Sequence, residues 1–225
     1  MSSTLGSLER VTYPLPHGLP GLFIALEGGD GAGKSTQAAL LCRALEDSGR
    51  TVVRTREPGG TPIGEKLRSL VLEHGHGEID ARTEALMFAA SRAAHVHQVI
   101  VPALRRGDVV VCDRYIDSSV AYQGAGRGLG TAAVLDVNLW ATEGLRPDLT
   151  VLLDVDPAEG RSRRTAGAAE EDRLESEPDG FHASIRSAFL DLARQEPRRY
   201  LVLTASDTPE ELHRAILGAL PRVAA

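Results

Sequence analysis

The chain has 225 residues, of which 42% are hydrophobic and 25% are charged, and its formal net charge is −6. This composition is typical of a globular protein with a substantial core, and the acidic balance argues against a dedicated binder of duplex DNA or RNA. We therefore expect no nucleic-acid partner. No apolar run reaches membrane-spanning length and the N-terminus lacks a signal pattern, so we expect no membrane partner either. Cys42 and Cys112 are expected to be free, buried thiols in a reducing compartment.

The first predicted elements are a buried strand and a helix joined by a glycine-rich loop. Residues 22–26 form a short apolar run, and residues 37–46 carry apolar side chains at helical spacing. Between them, Gly28-x-x-x-x-Gly33-Lys34-Ser35 fits the phosphate-binding loop, in which backbone N–H groups and a helix N-terminus hold phosphates. Lys34 would reach the terminal phosphates and Ser35 would bind Mg²⁺. The predicted nucleotide-binding residues are Gly28, Gly29, Asp30, Gly31, Ala32, Gly33, Lys34, Ser35 and Thr36.

The rest of the chain alternates short apolar strands with helices. Further strands are predicted at 51–56, 109–112, 149–154 and 200–204. Helices are predicted around 63–71, over 80–106 with a kink or break at Pro102, and over 117–123, 131–142, 157–164, 181–195 and 209–220. This alternation predicts an α/β fold, a five-stranded parallel sheet with helices on both faces. Residues 1–20 are expected to be a mobile tail, and 21–225 a single domain.

Polar residues follow three of the predicted strands. Asp30 lies in the loop after the first strand, Arg56 and Glu57 follow the second, and Asp113 and Arg114 close the third. Strand ends are usually polar, so each is a weak signal alone. Because the carboxyl ends of parallel strands meet at one edge of a sheet, these residues are predicted to gather beside the phosphate loop and form a site.

The motifs together resemble the thymidylate kinases of the bacterial type, which are nucleoside monophosphate kinases. The matching segments run in family order over about residues 21–205: "EGGDGAGKST" from Glu27, "REPGGT" from Arg56, "EKLRSLVL" from Glu65, "LMFAASRAAH" from Leu86, "DRYIDSSVAYQG" from Asp113, "RPDLTVLLDVDP" from Arg146 and "DRLE" from Asp172. The resemblance implies a P-loop NTPase fold with a short lid at about 161–175. It further implies transfer of the ATP γ-phosphoryl group to dTMP with Mg²⁺, in the pathway to dTTP, by a cytoplasmic homodimer.

The resemblance also implies roles for individual residues. Lys34 would hold ATP phosphates, and Ser35 would bind Mg²⁺ with help from Asp113. Arg68 and Arg114 would hold the acceptor's monophosphate, and Asp30 would face its sugar 3′-hydroxyl. Glu57 would orient arginines or metal-bound water. The implied catalytic residues are Asp30, Lys34, Arg114, Arg163 and Arg164, and the implied substrate-binding residues are Glu57, Arg68, Phe88, Arg92, Arg114, Ser118, Ser119, Tyr122 and Gln123.

Four side chains are suited to a thymine base and its sugar. Phe88 and Arg92 are four residues apart on one helix, so a pyrimidine can stack on the ring while the guanidinium donates to a ring carbonyl. Gln123 offers a donor and an acceptor for the carbonyl and N–H edge of thymine, and Tyr122 would crowd a ribose 2′-hydroxyl. Packing in the core is the alternative role of Phe88 and Tyr122.

The lid is predicted to supply the cation that phosphoryl transfer needs over the developing charge. Some members of the family carry this arginine in the phosphate loop, where this chain has Gly31, and the bacterial type supplies it from the lid. Thr165 and Gly167 stand near positions where further arginines would be expected. The candidates are Arg161, Arg163, Arg164 and Arg173, and one-turn spacing places Arg161 and Arg164 on about one helix face. We expect Arg163 first, because it aligns best with the family's lid arginine, and Arg164 next.

Two other functions fit a phosphate-binding loop. One is another P-loop kinase of deoxynucleosides or nucleoside monophosphates, against which the "AYQG" and "FAASR" stretches favour a thymine-type base. The other is a nucleotide-dependent switch protein. A GTPase of that class would need an "NKxD"-type stretch for its base, and the sequence contains none.

Overall fold

The computed structural model describes residues 17–166 and 171–220, which form one parallel sheet with helices on both faces. The strands are β1 (Leu22–Glu27), β2 (Val52–Arg56), β3 (Val109–Asp113), β4 (Leu149–Asp154) and β5 (Tyr200–Thr204). They lie in the order β2-β3-β1-β4-β5, and every neighbouring pair is parallel. The predicted fold class is confirmed. β1 lies at the centre with every residue buried, which explains its unbroken apolar run.

Helices cover both faces of the sheet and begin close to their predicted positions. They are α1 (Lys34–Asp47), α2 (Pro62–Leu72), α3 (Ala81–His95), α4 (Val101–Arg105), α5 (Ile116–Ser119), α6 (Thr131–Ala141), α7 (Pro157–Thr165), α8 (Asp179–Gln195) and α9 (Pro209–Ala219). Side chains cap several of them: Asp80 accepts from the N–H groups of Arg82 and Thr83 ahead of α3. Thr208 and Glu211 form a capping box at α9.

Two helices contain wider, π-helical turns that the sequence pattern did not predict. Val96–Ile100 joins α3 to α4, so the predicted break near Pro102 is found as a π-helical segment that ends just before α4. Val120–Gly126 continues α5, and this second segment carries Tyr122 and Gln123. A π-helical turn shifts the direction of the side chains that follow it, and such turns are frequent at functional sites.

The core has one layer on each face of the sheet. Alternate residues of β1 point to opposite faces: Ile24 and Leu26 pack with the residues of α1 and α9, whereas Phe23 and Ala25 pack with those of α4 and the segment after β3. Helices therefore pack on both faces of the sheet, and this packing positions the loops that follow the carboxyl ends of the strands.

The N-terminal tail predicted over residues 1–20 lies outside the described residues up to position 16. Residues 17–20 are described, and His17 packs against the body of the protein with its side chain 4% exposed. Its Nε2 lies 2.9 Å from Asp148 Oδ2, which also accepts from the Phe23 N–H. These contacts place the last residues before β1 against the sheet.

Two expectations from composition can be compared with the described residues. Cys42 and Cys112 are both free and buried, as predicted. Among the helices that the structure describes, none combines the length and apolar character needed to cross a bilayer.

Candidate active site

The loop between β1 and α1 has the backbone of a phosphate cradle. Gly28, Gly31 and Gly33 have φ values of 136°, 78° and 92°, which side-chain-bearing residues rarely adopt. A Cβ on Gly28 would lie 2.3 Å from the carbonyl oxygen of Leu153, so the loop also needs glycine for its close approach to β4. This is why the glycine spacing of the sequence produces a tight loop at the edge of the sheet.

Lys34 lies across this loop. Its Nζ donates to the carbonyl oxygens of Gly28 at 3.0 Å and Gly29 at 2.7 Å. Burial and the nearby Arg114 guanidinium lower the pKa of Lys34 from 10.5 to about 8. The ammonium is therefore held where terminal phosphates of a nucleotide would lie, and an anion there would favour its charged form.

Ser35 and Asp113 form the pair predicted for Mg²⁺. The Ser35 hydroxyl donates to Asp113 Oδ2 at 2.6 Å, at the exposed start of α1. A hydroxyl and a carboxylate are hard oxygen ligands, and Mg²⁺ is usually held by one or two such groups together with phosphate oxygens and water. The two residues fit the ion, and it would supply charge neutralisation for the phosphates at this position.

Asp30, Arg114 and Tyr122 form one cluster beside the loop. Arg114 has φ of 70°, and its guanidinium pairs with Asp30 Oδ1 and donates to Gly28 O, Ser118 Oγ and Tyr122 Oη. The Tyr122 hydroxyl in turn donates to Asp30 Oδ2 at 2.7 Å. Burial alone would raise the pKa of Asp30, but the charges of Arg114 and Lys34 hold it well below its ordinary value. Asp30 is therefore a carboxylate that accepts hydrogen bonds.

A cavity of about 140 Å³ opens next to this cluster. All of the residues predicted to bind the substrate line it: Glu57, Arg68, Phe88, Arg92, Arg114, Ser118, Ser119, Tyr122 and Gln123. A second, larger cavity of about 410 Å³ is lined by Lys34, Ser35, Thr36, Arg163 and Arg164 among others. Asp30, Glu57, Arg68 and Arg114 line both cavities, so the two meet at a boundary that is rich in charge.

The far end of the smaller cavity is built around Arg92, which is 1% exposed. Its Nε donates to Glu57 Oε2 at 2.6 Å, Nη1 donates to Ser119 Oγ and Asn138 Oδ1, and Nη2 donates to Tyr115 O. These contacts use four of the five guanidinium N–H groups. The predicted role of Glu57 in orienting arginines is therefore consistent with its contacts.

Gln123 is 1% exposed and forms another part of the wall. Its Nε2 donates to Glu84 Oε1 at 2.9 Å, whereas its Oε1 has no hydrogen-bond partner among the described residues. A buried, unpaired carbonyl oxygen in a cavity wall is costly unless a ligand satisfies it. The side chain therefore offers an acceptor to a ligand N–H.

The lid arginines divide into two groups. Arg161 and Arg164 both contact Glu171, whereas Arg163 contacts Glu159 and the carbonyl oxygen of Ala205. This agrees with the helical spacing, which places Arg161 and Arg164 on one face of α7. The lid position at Gly167 lies outside the described residues.

Several residues that shape the site were not selected from the sequence. Arg56, the last residue of β2, was predicted at the edge of the site but was given no role; it lines the larger cavity and pairs with both oxygens of Glu65 at 2.9 Å. Asp172, Leu174 and Glu175 line the smaller cavity; they belong to "DRLE", which was used only as a family motif. Glu84 and Asn138 had no signal, since each acts through a partner far away in sequence.

The fold and the two cavities define a class of protein. A phosphate-binding loop at the edge of a parallel sheet, next to an arginine-rich pocket for a second ligand, is the arrangement of a P-loop nucleotide kinase. The charged boundary between the cavities is where a phosphoryl group would pass.

Comparisons with known proteins identify the particular family. The model of the family described as "Thymidylate kinase" matches residues 26–216. Thymidylate kinase of Leifsonia xyli subsp. xyli is 58% identical over 88% of this chain and 93% of its own, and that of Cutibacterium acnes is 53% identical over 87% and 94%. A crystal structure of thymidylate kinase from Ehrlichia chaffeensis aligns with a TM-score of 0.72 at 33% identity, covering 88% of this chain and 96% of its own. The chain belongs to the thymidylate kinase family.

Proposed function

We propose that this protein transfers the γ-phosphoryl group of ATP to dTMP, giving dTDP and ADP, as a step toward dTTP. The observation that carries the proposal is the shared boundary of the two cavities, where Asp30, Glu57, Arg68 and Arg114 line both. A donor nucleotide on the phosphate loop and an acceptor in the smaller cavity would bring their phosphates together at this boundary. Such positioning converts a bimolecular reaction into an effectively unimolecular one.

The charges at the boundary suit two anionic substrates. Lys34 is held over the loop for the β- and γ-phosphates, with Ser35 and Asp113 placed for the Mg²⁺ that accompanies ATP. Arg114, held by Asp30 and Ser118, lines the smaller cavity together with Arg68, and the two would hold the acceptor's monophosphate. Asp30 keeps lone pairs free for the sugar 3′-hydroxyl. The protein therefore aligns and neutralises the reacting groups, which is most of what phosphoryl transfer requires.

The smaller cavity has the chemistry of a thymine site. Phe88 presents an aromatic ring in its wall, Arg92 retains one guanidinium N–H for a ring carbonyl, and Gln123 Oε1 accepts from a ring N–H. Tyr122 is fixed by Asp30 beside the sugar position. Together these groups match the stacking face, one carbonyl and the N–H of thymine.

The lid would supply the remaining cation. Arg163 and Arg164 both line the larger cavity, beside the phosphate loop. Both are bonded, Arg163 to Glu159 and Ala205 O and Arg164 to Glu171. Arg164 in addition lies close enough to Asp30 for their charges to interact. These contacts favour Arg164 over Arg163, which reverses the order expected from alignment.

We further propose that the protein is a cytoplasmic homodimer that associates through α3 and α6. These two helices pack side by side and expose Leu86 at 59%, Val137 at 37% and Trp140 at 85%. An exposed tryptophan beside other apolar side chains on adjacent helices is typical of a surface that another protein covers. A second copy of the chain would bury the same patch on both subunits. The free, buried cysteines suit a reducing compartment.

A substrate panel tests the activity. With ATP and Mg²⁺, ADP should form fastest with dTMP, and more slowly with dUMP by about 10- to 200-fold because one methyl group is lost from an apolar pocket. Purine monophosphates should be used hardly at all. Faster turnover with dCMP, dGMP or a deoxynucleoside would indicate another kinase, and ADP release that ignores every acceptor would indicate a switch protein.

Sedimentation of charged surface variants tests the dimer. Trp140→Asp combined with Leu86→Asp should yield monomers. The matched control is Val202→Asp, an exposed apolar position on β5 with 45% exposure, which should remain dimeric. A wild-type protein that sediments as a monomer would rule out the dimer.

A further inference from the structure

Behind Gln123 lies a buried cluster that the phosphoryl-transfer chemistry does not use. It consists of Glu84, Gln123, Arg127 and Arg173, and we call it the Glu84 network. Glu84 is 0% exposed, and its carboxylate accepts from Gln123 Nε2 at 2.9 Å, from Arg127 Nε at 3.2 Å and from Arg173 Nη2 at 2.5 Å. A buried carboxylate with two arginine partners is expensive to build unless it has a purpose beyond packing.

The network determines which end of the Gln123 amide faces the cavity. Both arginines can only donate, and a carboxylate between them only accepts. Gln123 must therefore turn its NH₂ group toward Glu84. The carbonyl oxygen then remains as the end of the amide that is free for a ligand, consistent with the unpaired, buried Oε1. Without Glu84, either end of the amide could turn toward a ligand.

We propose that Glu84 is a positioning residue that sets base selectivity by fixing the Gln123 amide. The inference rests on the proposed function, because it concerns the base of the acceptor. With the carbonyl oxygen toward the cavity, the site accepts pyrimidines that carry a ring N–H beside their carbonyls, such as thymine and uracil. It rejects cytosine, whose corresponding ring nitrogen is an acceptor and would face another acceptor.

The same network is bonded to a segment that lines the cavity. Arg173 donates through Nε to Val71 O at 2.9 Å, and its backbone N–H donates to Leu72 O at 3.0 Å. Leu72 and the neighbouring Leu174 line the cavity. Glu84 is therefore connected through Arg173 to the walls of the cavity, and these contacts hold its carboxylate beside Gln123.

Binding calorimetry with a matched pair of variants tests the proposal. Glu84→Gln allows the amide of Gln123 to turn over, so the ratio of the dCMP to the dTMP dissociation constant should fall about tenfold, the usual effect of re-pairing a buried polar group. Glu177→Gln is the control. Glu177 pairs with Arg127 at 2.5 Å, so this variant removes one negative charge from the other side of that arginine. Because Glu177 does not bond to Gln123, the ratio should stay at its wild-type value.

A third variant covers the case in which Glu84→Gln fails to fold. Glu84→Asp keeps the charge between the arginines but withdraws the carboxylate by about 1.5 Å, one carbon–carbon bond, from the Gln123 amide. It should lower the same ratio. An unchanged ratio in every foldable Glu84 variant, or an equal fall in Glu177→Gln, would overturn the role of Glu84. Because the readout is binding, it is separate from the turnover panel: failure to phosphorylate dTMP would refute the proposed activity alone.

Discussion

The smaller cavity, proposed for the acceptor, and the lid differ in how far their arginines are buried and bonded. Arg92 in the cavity has a side chain that is 2% exposed and is bonded to Glu57, Ser119, Asn138 and the backbone. In the lid, Arg164 has a side chain that is 13% exposed and pairs with Glu171, and Arg163 has one that is 37% exposed and pairs with Glu159 one helical turn away. The cavity is organised before any ligand arrives, whereas the lid keeps its charges near the surface.

The difference has an energetic reason. An exposed ion pair contributes about 0–1 kcal/mol, so a lid arginine loses little when it exchanges a carboxylate for a phosphate. Removing one partner of a buried pair costs about 3–5 kcal/mol, so the cavity cannot rearrange in that way. Under the proposed function, recognition of the base would depend on fixed geometry, and stabilisation of the transferred group would depend on lid charges that can exchange partners.

The largest expected effect comes from the lid. Arg164→Ala should lower kcat by about 10³-fold, since an arginine over the transferred phosphoryl group contributes on that scale, and the KM for dTMP should change little. Arg163→Ala should have a smaller effect. Steady-state kinetics would measure both. Arg161→Ala is the matched control, because Arg161 lies on the same helix and shares Glu171 with Arg164, but it is not among the residues that line the larger cavity. Equal kcat values for the Arg161 and Arg164 variants would contradict the assignment.

A smaller effect is expected where the lid helix meets the phosphate loop. A Cβ on Gly160 would lie 2.4 Å from Asp30 O, and one on Gly31 would lie 2.1 Å from Gly160 O. Gly160→Ala should therefore displace α7 or Asp30 and lower kcat by up to about 10²-fold, because misplacement by about 1 Å has that cost. The change is measured by single-turnover kinetics.

Gly218→Ala in α9 provides the comparison, since a Cβ there would meet no atom within 4 Å. Helix propensity favours alanine at both positions by about 1 kcal/mol, so this variant should be more stable and fully active. If Gly160→Ala behaves in the same way, the lid is not seated by the contact between these two glycines.

The smallest effect is a pH dependence at the phosphate loop. Lys34 has a pKa of about 8 and attracts phosphate only when protonated. The kcat/KM for ATP should therefore fall as pH rises through about 8, by about tenfold per pH unit beyond it. At saturating ATP, bound phosphates restore the charge, so kcat/KM for dTMP should not show this fall. A flat ATP profile up to pH ~9 would mean that Lys34 stays charged without a nucleotide.

Much of the fold could be predicted because its signals are local. The strand predicted over 22–26 is Leu22–Glu27, and the helix predicted over 209–220 is Pro209–Ala219. Apolar periodicity and helix caps act within a few residues of each other, so the chain displays them directly. The two π-helical segments were not predicted, because a wider turn depends on packing against the rest of the molecule.

For the site, the sequence by itself determined the phosphate loop, since glycine spacing and the following helix are properties of one short segment. The family motifs predicted the substrate-binding residues, and these residues line the smaller cavity. Only the tertiary structure decided how these residues are held: which end of the Gln123 amide is free, which arginines share Glu84, and which lid arginine lies near Asp30. A hydrogen-bond partner is chosen by close approach, and residues 84, 123 and 173 come within bonding distance only when three separate helices and loops pack together.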